Sequence, residues 1–255
     1  MRLKAQCRKT MAWLVLLFLL GGRFGHAESV TVAVSANFLI AFYDLKDSFE
    51  LNGSHEVVLV TGSTGQLYAQ IINGAPFDVL LSADQKTATL LVESGFADPV
   101  SQFTYARGQL VLWGNNLNIR ASAMLKELKE GNFRYLAIAN PRIAPYGFAA
   151  RQTLTALGIW PQLQERIVLA ENTNQAFVWA QTGNADLGLV ALSQALGYKT
   201  HRNFIVIPPA LYDPILQDAI LLIRGAKNPA AISFYNYLRS RDASNIIKQH
   251  GYLED

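Results

Sequence analysis

The stretch that decides the fold runs from Glu28 to Ser94. It reads ESVTVAV (28–34), a turn SANF (35–38), LIAFYDLKDSFEL (39–51), HEVVLV (55–60), a turn TGST (61–64), GQLYAQIIN (65–73), FDVLLS (77–82) and QKTATLLVES (85–94). The runs at 28–34, 55–60 and 77–82 are short, apolar and β-branched, which marks strands. The segments Leu39–Leu51, Gly65–Asn73 and Gln85–Ser94 carry apolar residues at helical spacing. Strands alternating with helices of about ten residues predict βαβ units and a parallel sheet. The absence of polar alternation within the strands agrees, because parallel strands are buried on both faces.

Beyond Gln102 a second series begins. Phe103–Trp113 (FTYARGQLVLW) is long and strand-like, followed by a helix end at Lys126–Gly131, a strand at Tyr135–Ala139 and a helix at Tyr146–Leu157. A strand at Ile167–Ala170, a helix at Thr173–Gln181 and a strand at Leu187–Val190 come next. Strand-like Ile205–Pro209 and Ile215–Ile223 precede terminal helices at Ala230–Arg239 and Ala243–His250. The long strands near 103–113 and 205–223 suggest that the chain leaves one lobe and later returns to it. The expected organisation is an α/β protein of two Rossmann-like lobes. Lobe 1 takes residues 28–105 and 214–255, lobe 2 takes 106–213, and a ligand cleft lies between them, where strand ends and helix N-termini converge.

The N-terminus reads as a separate part. Arg2, Lys4, Arg8 and Lys9 precede ten unbroken apolar residues, Met11–Leu20, and Gly25 and Ala27 stand at the −3 and −1 positions of a cleavage site. That is the order of a secretory signal peptide over residues 1–27; ten apolar residues are half of the roughly 20 that span a bilayer. Five basic and no acidic residues leave with it, which takes the formal charge from +3 to −2. The basic character of the precursor therefore says nothing about nucleic acid, and no nucleic-acid partner is expected. The single cysteine, Cys7, lies in the basic segment, so the mature chain is expected to fold without disulfides.

Four strand-to-helix turns share a composition: Ser35-Ala36-Asn37, Gly62-Ser63-Thr64-Gly65, Ala144-Pro145-Tyr146-Gly147 and Glu171-Asn172-Thr173-Asn174. One such turn is an ordinary helix cap. Several from two lobes, aimed at one cleft, present unpaired backbone N–H groups and a partial positive charge of roughly half an electron at each end. Such a set can hold an anion without Lys or Arg, and it can release the anion without breaking a buried salt bridge. Other chemistries lack their parts. Asp78 and Asp84 read as residues that cap and orient the turn after the third strand. His55, His201 and His250 have no metal-ligand spacing, and Gly62–Gly65 is not followed by the Lys of a phosphate-binding loop. A hydrolase built on Ser63 would need a His base with an orienting carboxylate. Trp113, Trp160 and Trp179 read as core or interface aromatics.

The segments VAVSANF (32–38), TGSTGQLYAQI (61–71), GAPFDVLLSADQ (74–85), ANPRIAPYG (139–147) and DLGLVALSQ (186–194) resemble the periplasmic molybdate-binding proteins of molybdate ABC transporters, a class II periplasmic-binding-protein family. The resemblance covers about 28–255. It implies a periplasmic, monomeric solute-binding protein and not an enzyme. Its partners would be a small oxyanion, molybdate or tungstate, and the membrane permease of an ABC importer, with no cofactor and no direct metal ligand. Carried over by position, the ligand contacts fall at Ala36, Asn37, Ser63, Tyr146 and Thr173. Asn37 would donate by side chain and backbone, Ser63 by hydroxyl and N–H, and Tyr146 and Thr173 by backbone N–H. The chain departs from the pattern at Ala36, which lacks a hydroxyl, at Thr173, where an apolar residue is more usual, and at Ala191, where some relatives place a tyrosine. Receptors for sulfate, phosphate or a small organic anion are the alternative within the fold. Selectivity is expected to rest on cavity size, since fixed donors lose hydrogen bonds to an anion that is too small.

Overall fold

The computed structural model describes residues 28–53, 55–114, 121–198 and 203–254; the expected leader at 1–27, with Cys7, and His201 lie outside them. Two five-stranded sheets form the frame. The first contains β1 (Ser29–Ser35), β2 (Glu56–Gly62), β3 (Val79–Leu81), β4 (Phe103–Gly108) and β10 (Ile215–Leu221), in the order β2-β1-β3-β10-β4. The second contains β5 (Leu110–Gly114), β6 (Leu136–Ala139), β7 (Ile167–Ala170), β8 (Leu187–Ala191) and β9 (Phe204–Val206), in the order β7-β6-β8-β5-β9.

In each sheet the first three strands of that order are parallel, as the βαβ pattern predicts. The other two are antiparallel to their neighbours, so both sheets are mixed, not parallel. The reason is the traffic between lobes. The run read as one strand, Phe103–Trp113, is two: β4 ends at Gly108 in the first sheet and β5 starts at Leu110 in the second, with Gln109 between them. A chain that crosses at this point and comes back through β10 enters each sheet from the far side, which reverses the strand direction.

Helices cover both faces of each sheet. In the first lobe α1 (Leu39–Asn52), α9 (Pro229–Leu238) and α10 (Arg241–Gln249) pack on one face, and α2 (Thr64–Ile72) and α3 (Gln85–Glu93) on the other. In the second, α4 (Ala121–Glu130) and α5 (Pro145–Ala156) lie on one face. The other is covered by α7 (Thr173–Gln181) and α8 (Leu192–Gly197), a short helix not anticipated from periodicity; a four-residue helix α6 (Trp160–Leu163) follows α5. β1 shows why the strands read as apolar: Val30, Val32, Ala33 and Val34 have no exposed surface, since both faces are covered. On α1, Ala41, Phe42, Leu45 and Phe49 recur at helical spacing and are buried together. Trp113 is fully buried, edge-on to Phe177 and Tyr198.

The two aspartates of the third βα unit part company. Asp84 caps α3, accepting from the Thr87 N–H at 2.7 Å. Asp78 stands before β3, not after it. Its carboxylate accepts from the Thr31 N–H at 2.8 Å and the Asn228 amide at 3.2 Å, and Arg224 approaches to 3.6 Å. It therefore pins β1 to the approach to α9.

Phe234 of α9 is fully buried, 5.2 Å from the Phe49 ring and 6.0 Å from the Phe42 ring, both edge-on. Truncation there leaves a cavity in the first core. Phe234→Ala is expected to lower unfolding stability by about 3–5 kcal/mol, read from the urea midpoint at unchanged slope.

Candidate anion-binding site

The seam between the sheets is built from turns at the C-terminal ends of parallel strands. β1 and β2 run in register to Ser35↔Gly62, which brings the turns that follow them side by side. A 3-10 turn, Ala36–Phe38, follows β1, and Ser63 caps α2 after β2. The two turns are tied together: Ser35 Oγ and Thr64 Oγ1 lie 2.8 Å apart, and the Ala83 N–H donates to both, at 3.1 and 3.3 Å. In the second lobe β6 and β7 run in register to Ala139↔Ala170, and the Asn140 N–H donates to the Ala170 carbonyl at 2.8 Å. Tyr146 and Thr173 stand in the first turns of α5 and α7, the helices that follow these strands. Gly147 lets α5 start hard against β6, because a Cβ there would meet the Ala139 carbonyl oxygen at 2.1 Å.

The lobes meet through these same turns. The Gly65 N–H, in the first turn of α2, donates to the Ile143 carbonyl of the second lobe at 2.9 Å. The Ala36–Phe38 turn packs against both α7 and α8, and Ser193 Oγ of α8 donates to the Asn37 carbonyl at 2.9 Å. Ala36, Asn37, Ser63, Tyr146 and Thr173 are all buried, none carries a charge, and they stand on turns that face the seam from both lobes.

The donors available differ from those expected. The Asn37 amide is fully engaged, with the Gln217 Oε1 at 2.8 Å and the Tyr252 hydroxyl at 3.3 Å, so only its backbone N–H is left for a ligand. Ser63 and Gln66 form a reciprocal capping box: the Ser63 N–H donates to Gln66 Oε1 at 2.9 Å, and Ser63 Oγ accepts from the Gln66 N–H at 3.3 Å. Ser63 therefore keeps its hydroxyl proton as a donor but not its N–H. Tyr146 and Thr173 are first-turn residues, whose N–H groups no carbonyl of their own helix can reach.

Behind the turns lies a group of residues that periodicity did not single out. Gln217 and Tyr252 hold Asn37, Tyr252 also donates to the Asn37 carbonyl at 2.9 Å, and Ser193 Oγ lies 3.0 Å from the Tyr252 hydroxyl. Tyr105 donates to Gln217 Oε1 at 3.3 Å, and Phe38 packs on the rings of Tyr105 and Tyr252. The one signal in the sequence was the polar pair Gln217-Asp218 inside the otherwise apolar ILQDAIL strand. Burial drives the hydroxyls of Tyr105 and Tyr146 well above their ordinary pKa. For Tyr146 the neighbouring Asn37 side chain opposes that rise, although the hydroxyl makes no hydrogen bond of normal geometry. These phenols are neutral hydrogen-bonding groups at any physiological pH.

The large open cleft between the lobes, about 460 Å³, is not this cradle. Its walls include Lys86, Leu90, Arg142 and Phe148, and none of the five residues lines it. It adjoins the cradle at Gly65, Ala83 and the Ile143–Pro145 turn.

The family model for bacterial extracellular solute-binding proteins matches residues 30–253. A molybdate-binding protein ModA of Azotobacter vinelandii is 42% identical over 228 residues, 89% of this chain and 90% of that protein. The ModA of Rhodobacter capsulatus is 38% identical over 232 residues, 90% of each. The solved periplasmic molybdate-binding protein of Azotobacter vinelandii superposes with a TM-score of 0.83 at 40% identity, covering 89% of this chain and 99% of that one.

Burial pushes the Tyr252 hydroxyl up to about 12, while its hydrogen bonds with Ser193 and Asn37 pull the other way. A pKa raised on folding stabilises the protein fully below the unfolded value near 10 and loses that effect as pH climbs through the folded value. Stability is therefore expected to fall between pH 10 and about 12. Tyr252→Phe should flatten part of that fall, as followed by denaturant midpoints across the window.

Proposed function

Since the chain belongs to the bacterial extracellular solute-binding proteins, and within them to the molybdate-binding proteins, we propose that it captures molybdate or tungstate in the periplasm and delivers it to the membrane permease of an ABC importer. The observation that supports this most directly is the seam itself. First-turn donors of α2, α5 and α7, with the Ala36–Phe38 turn, approach one buried place from two lobes, and no Lys or Arg stands among the five cradle residues. A dianion enclosed there gains hydrogen bonds from groups that are otherwise unpaired, and the helix ends favour its charge. The backbone N–H groups of Ala36, Asn37, Tyr146 and Thr173 and the Ser63 hydroxyl are the donors. Molybdenum enters as the ligand's own central atom, with no protein group bound to it and no cofactor required.

Closure follows from the same geometry. Because donors come from both lobes, the anion is fully coordinated only when they meet, and Gln109 and the return segment before β10 are the places where the chain can hinge. The closed form, monomeric in this reading, is what the permease receives. Binding, not turnover, suits the site. Ser63 Oγ is a helix cap that accepts from the Gln66 N–H, and the His250 ring pairs with Asp44 at 2.7 Å.

The test is a thermal-shift and calorimetric panel of molybdate, tungstate, sulfate and phosphate on the mature chain. A ligand at about 1,000 times its dissociation constant adds about 4 kcal/mol to stability. Large rises with molybdate and tungstate and little with the others are expected; equal sulfate binding overturns the size filter, and no response to any of the four overturns oxyanion capture.

Within that panel, Ser63→Ala removes one hydroxyl donor and a helix cap. It should lower stability by about 1 kcal/mol and weaken molybdate binding by about tenfold, measured by calorimetry on the folded variant.

A further inference from the structure

Two fully buried polar groups in the first-lobe and second-lobe halves of the seam have no hydrogen-bond partner: the Gln217 Nε2 and the Tyr146 hydroxyl. Groups of this kind are rare in folded proteins and each one calls for a physical reason. These two face the same spot. A Cβ built on Gly108, at the end of β4, would lie 2.1 Å from the Tyr146 hydroxyl oxygen and 3.0 Å from Gln217 Nε2. The glycine is what leaves room for them to converge.

The rest of Gln217 is held firmly. Its Oε1 accepts from Asn37 at 2.8 Å and from Tyr105 at 3.3 Å, which fixes the orientation of the amide and turns Nε2 away from both. A β-bulge contributes. The β10–β4 register pairs Gln217 with Ala106 but Asp218 with Thr104, so Tyr105 is the extra residue of β4. A bulge re-aims side chains locally, and here Tyr105 and Gln217 both point into the seam. On the other side Tyr146 belongs to α5 of the second lobe, with its ring in that lobe's core.

We propose that Gln217 is a positioning residue that couples the two halves of the anion cradle: its carbonyl sets the Asn37 turn of one lobe, and its amide N–H₂ receives the Tyr146 hydroxyl of the other as the lobes close. This rests on the functional reading above, in which the backbones of Asn37 and Tyr146 donate to the anion. Both residues then have the same layout, with main chain at the ligand and side chain at Gln217. The Nε2–hydroxyl bond is one that these two groups have left to make. Forming it draws α5 towards the 36–38 turn, and an anion that brings the two backbones together favours the same approach, so each step assists the other.

Three variants of the full mature chain test this. Gln217→Met keeps the length of the side chain and removes the amide, Tyr146→Phe keeps the ring and the backbone N–H and removes the hydroxyl, and the third combines them. Molybdate dissociation constants and dissociation rates are measured by calorimetry and stopped-flow, with apo stability from urea unfolding alongside. Each single variant is expected to weaken binding by about tenfold, mostly through faster release. The double variant should be no worse than about tenfold, because both changes remove one shared interaction. Effects that multiply to about a hundredfold, or single variants that bind like the parent, overturn the coupling. Gly108→Ala, which leaves both side chains in place but puts a methyl group between them, must also speed release; a variant with parental release overturns the placement of that point. If Gln217→Met does not fold, Tyr146→Phe and Gly108→Ala decide alone. A parent chain that binds no molybdate overturns the functional reading and with it this role for Gln217.

Discussion

An α-helix cannot satisfy its own first N–H groups, and the architecture of this protein follows from where it puts them. A parallel strand followed by a helix delivers that helix's N-terminus to the C-terminal edge of the sheet. Two three-layer lobes, set edge to edge, then bring several such ends to a common seam. At several helix starts the need is met locally, by Asp84, Asn172, Asn228 and Ser240 accepting from their own first turns. At the seam it is met partly across the lobes, as when the Gly65 N–H reaches the Ile143 carbonyl. What is left over, at Tyr146 and Thr173, are first-turn N–H groups that no carbonyl of their own helix can reach.

Polar groups buried behind the cradle are handled without cations. Asp218 is the sharpest case: its carboxylate is buried, yet its partners are the Thr104 hydroxyl at 2.8 Å, the Gln102 amide at 2.7 Å and the Gln85 amide at 3.4 Å. The Asn37, Tyr105, Gln217 and Tyr252 group works in the same way, with neutral donors and acceptors in fixed orientations. Such a network holds its geometry only if its members are satisfied, because the low local dielectric strengthens each bond and makes each missing bond costly.

The chain path adds the second requirement. Two crossings are needed to make two lobes from one chain. Each puts one reversed strand into a sheet, β5 into the second and β10 into the first, and that strand pairs antiparallel with both neighbours. The C-terminus returns to the same region: Leu253 pairs with Arg107 through two backbone hydrogen bonds of 2.9 Å, which seats Tyr252 beside Asn37. The crossing at Gln109, the C-terminal tail and the Asn37 turn are therefore one neighbourhood.

Much of this was legible in the sequence, because its causes are local. Apolar β-branched runs such as SVTVAV form strands wherever both faces are covered, and Ser63, Asn172 and Tyr146 declare helix starts by their place after such runs. The strand and helix positions and the strand-to-helix turns depend on spacing within some ten positions, whereas the choice of Ala36, Asn37, Ser63, Tyr146 and Thr173 within those turns came from the family resemblance. The break at Gln109 was not legible, since every residue of Phe103–Trp113 suits a strand and only the presence of a second sheet makes the chain change partners. Nor was the loss of the Asn37 side chain as a ligand donor, because its partners Gln217 and Tyr252 lie 180 and 215 positions away. Local sequence determined which residues could offer donors to an anion. The tertiary structure decided which of those donors were already taken, because hydrogen-bond partners distant in the chain become neighbours only when the lobes are in place.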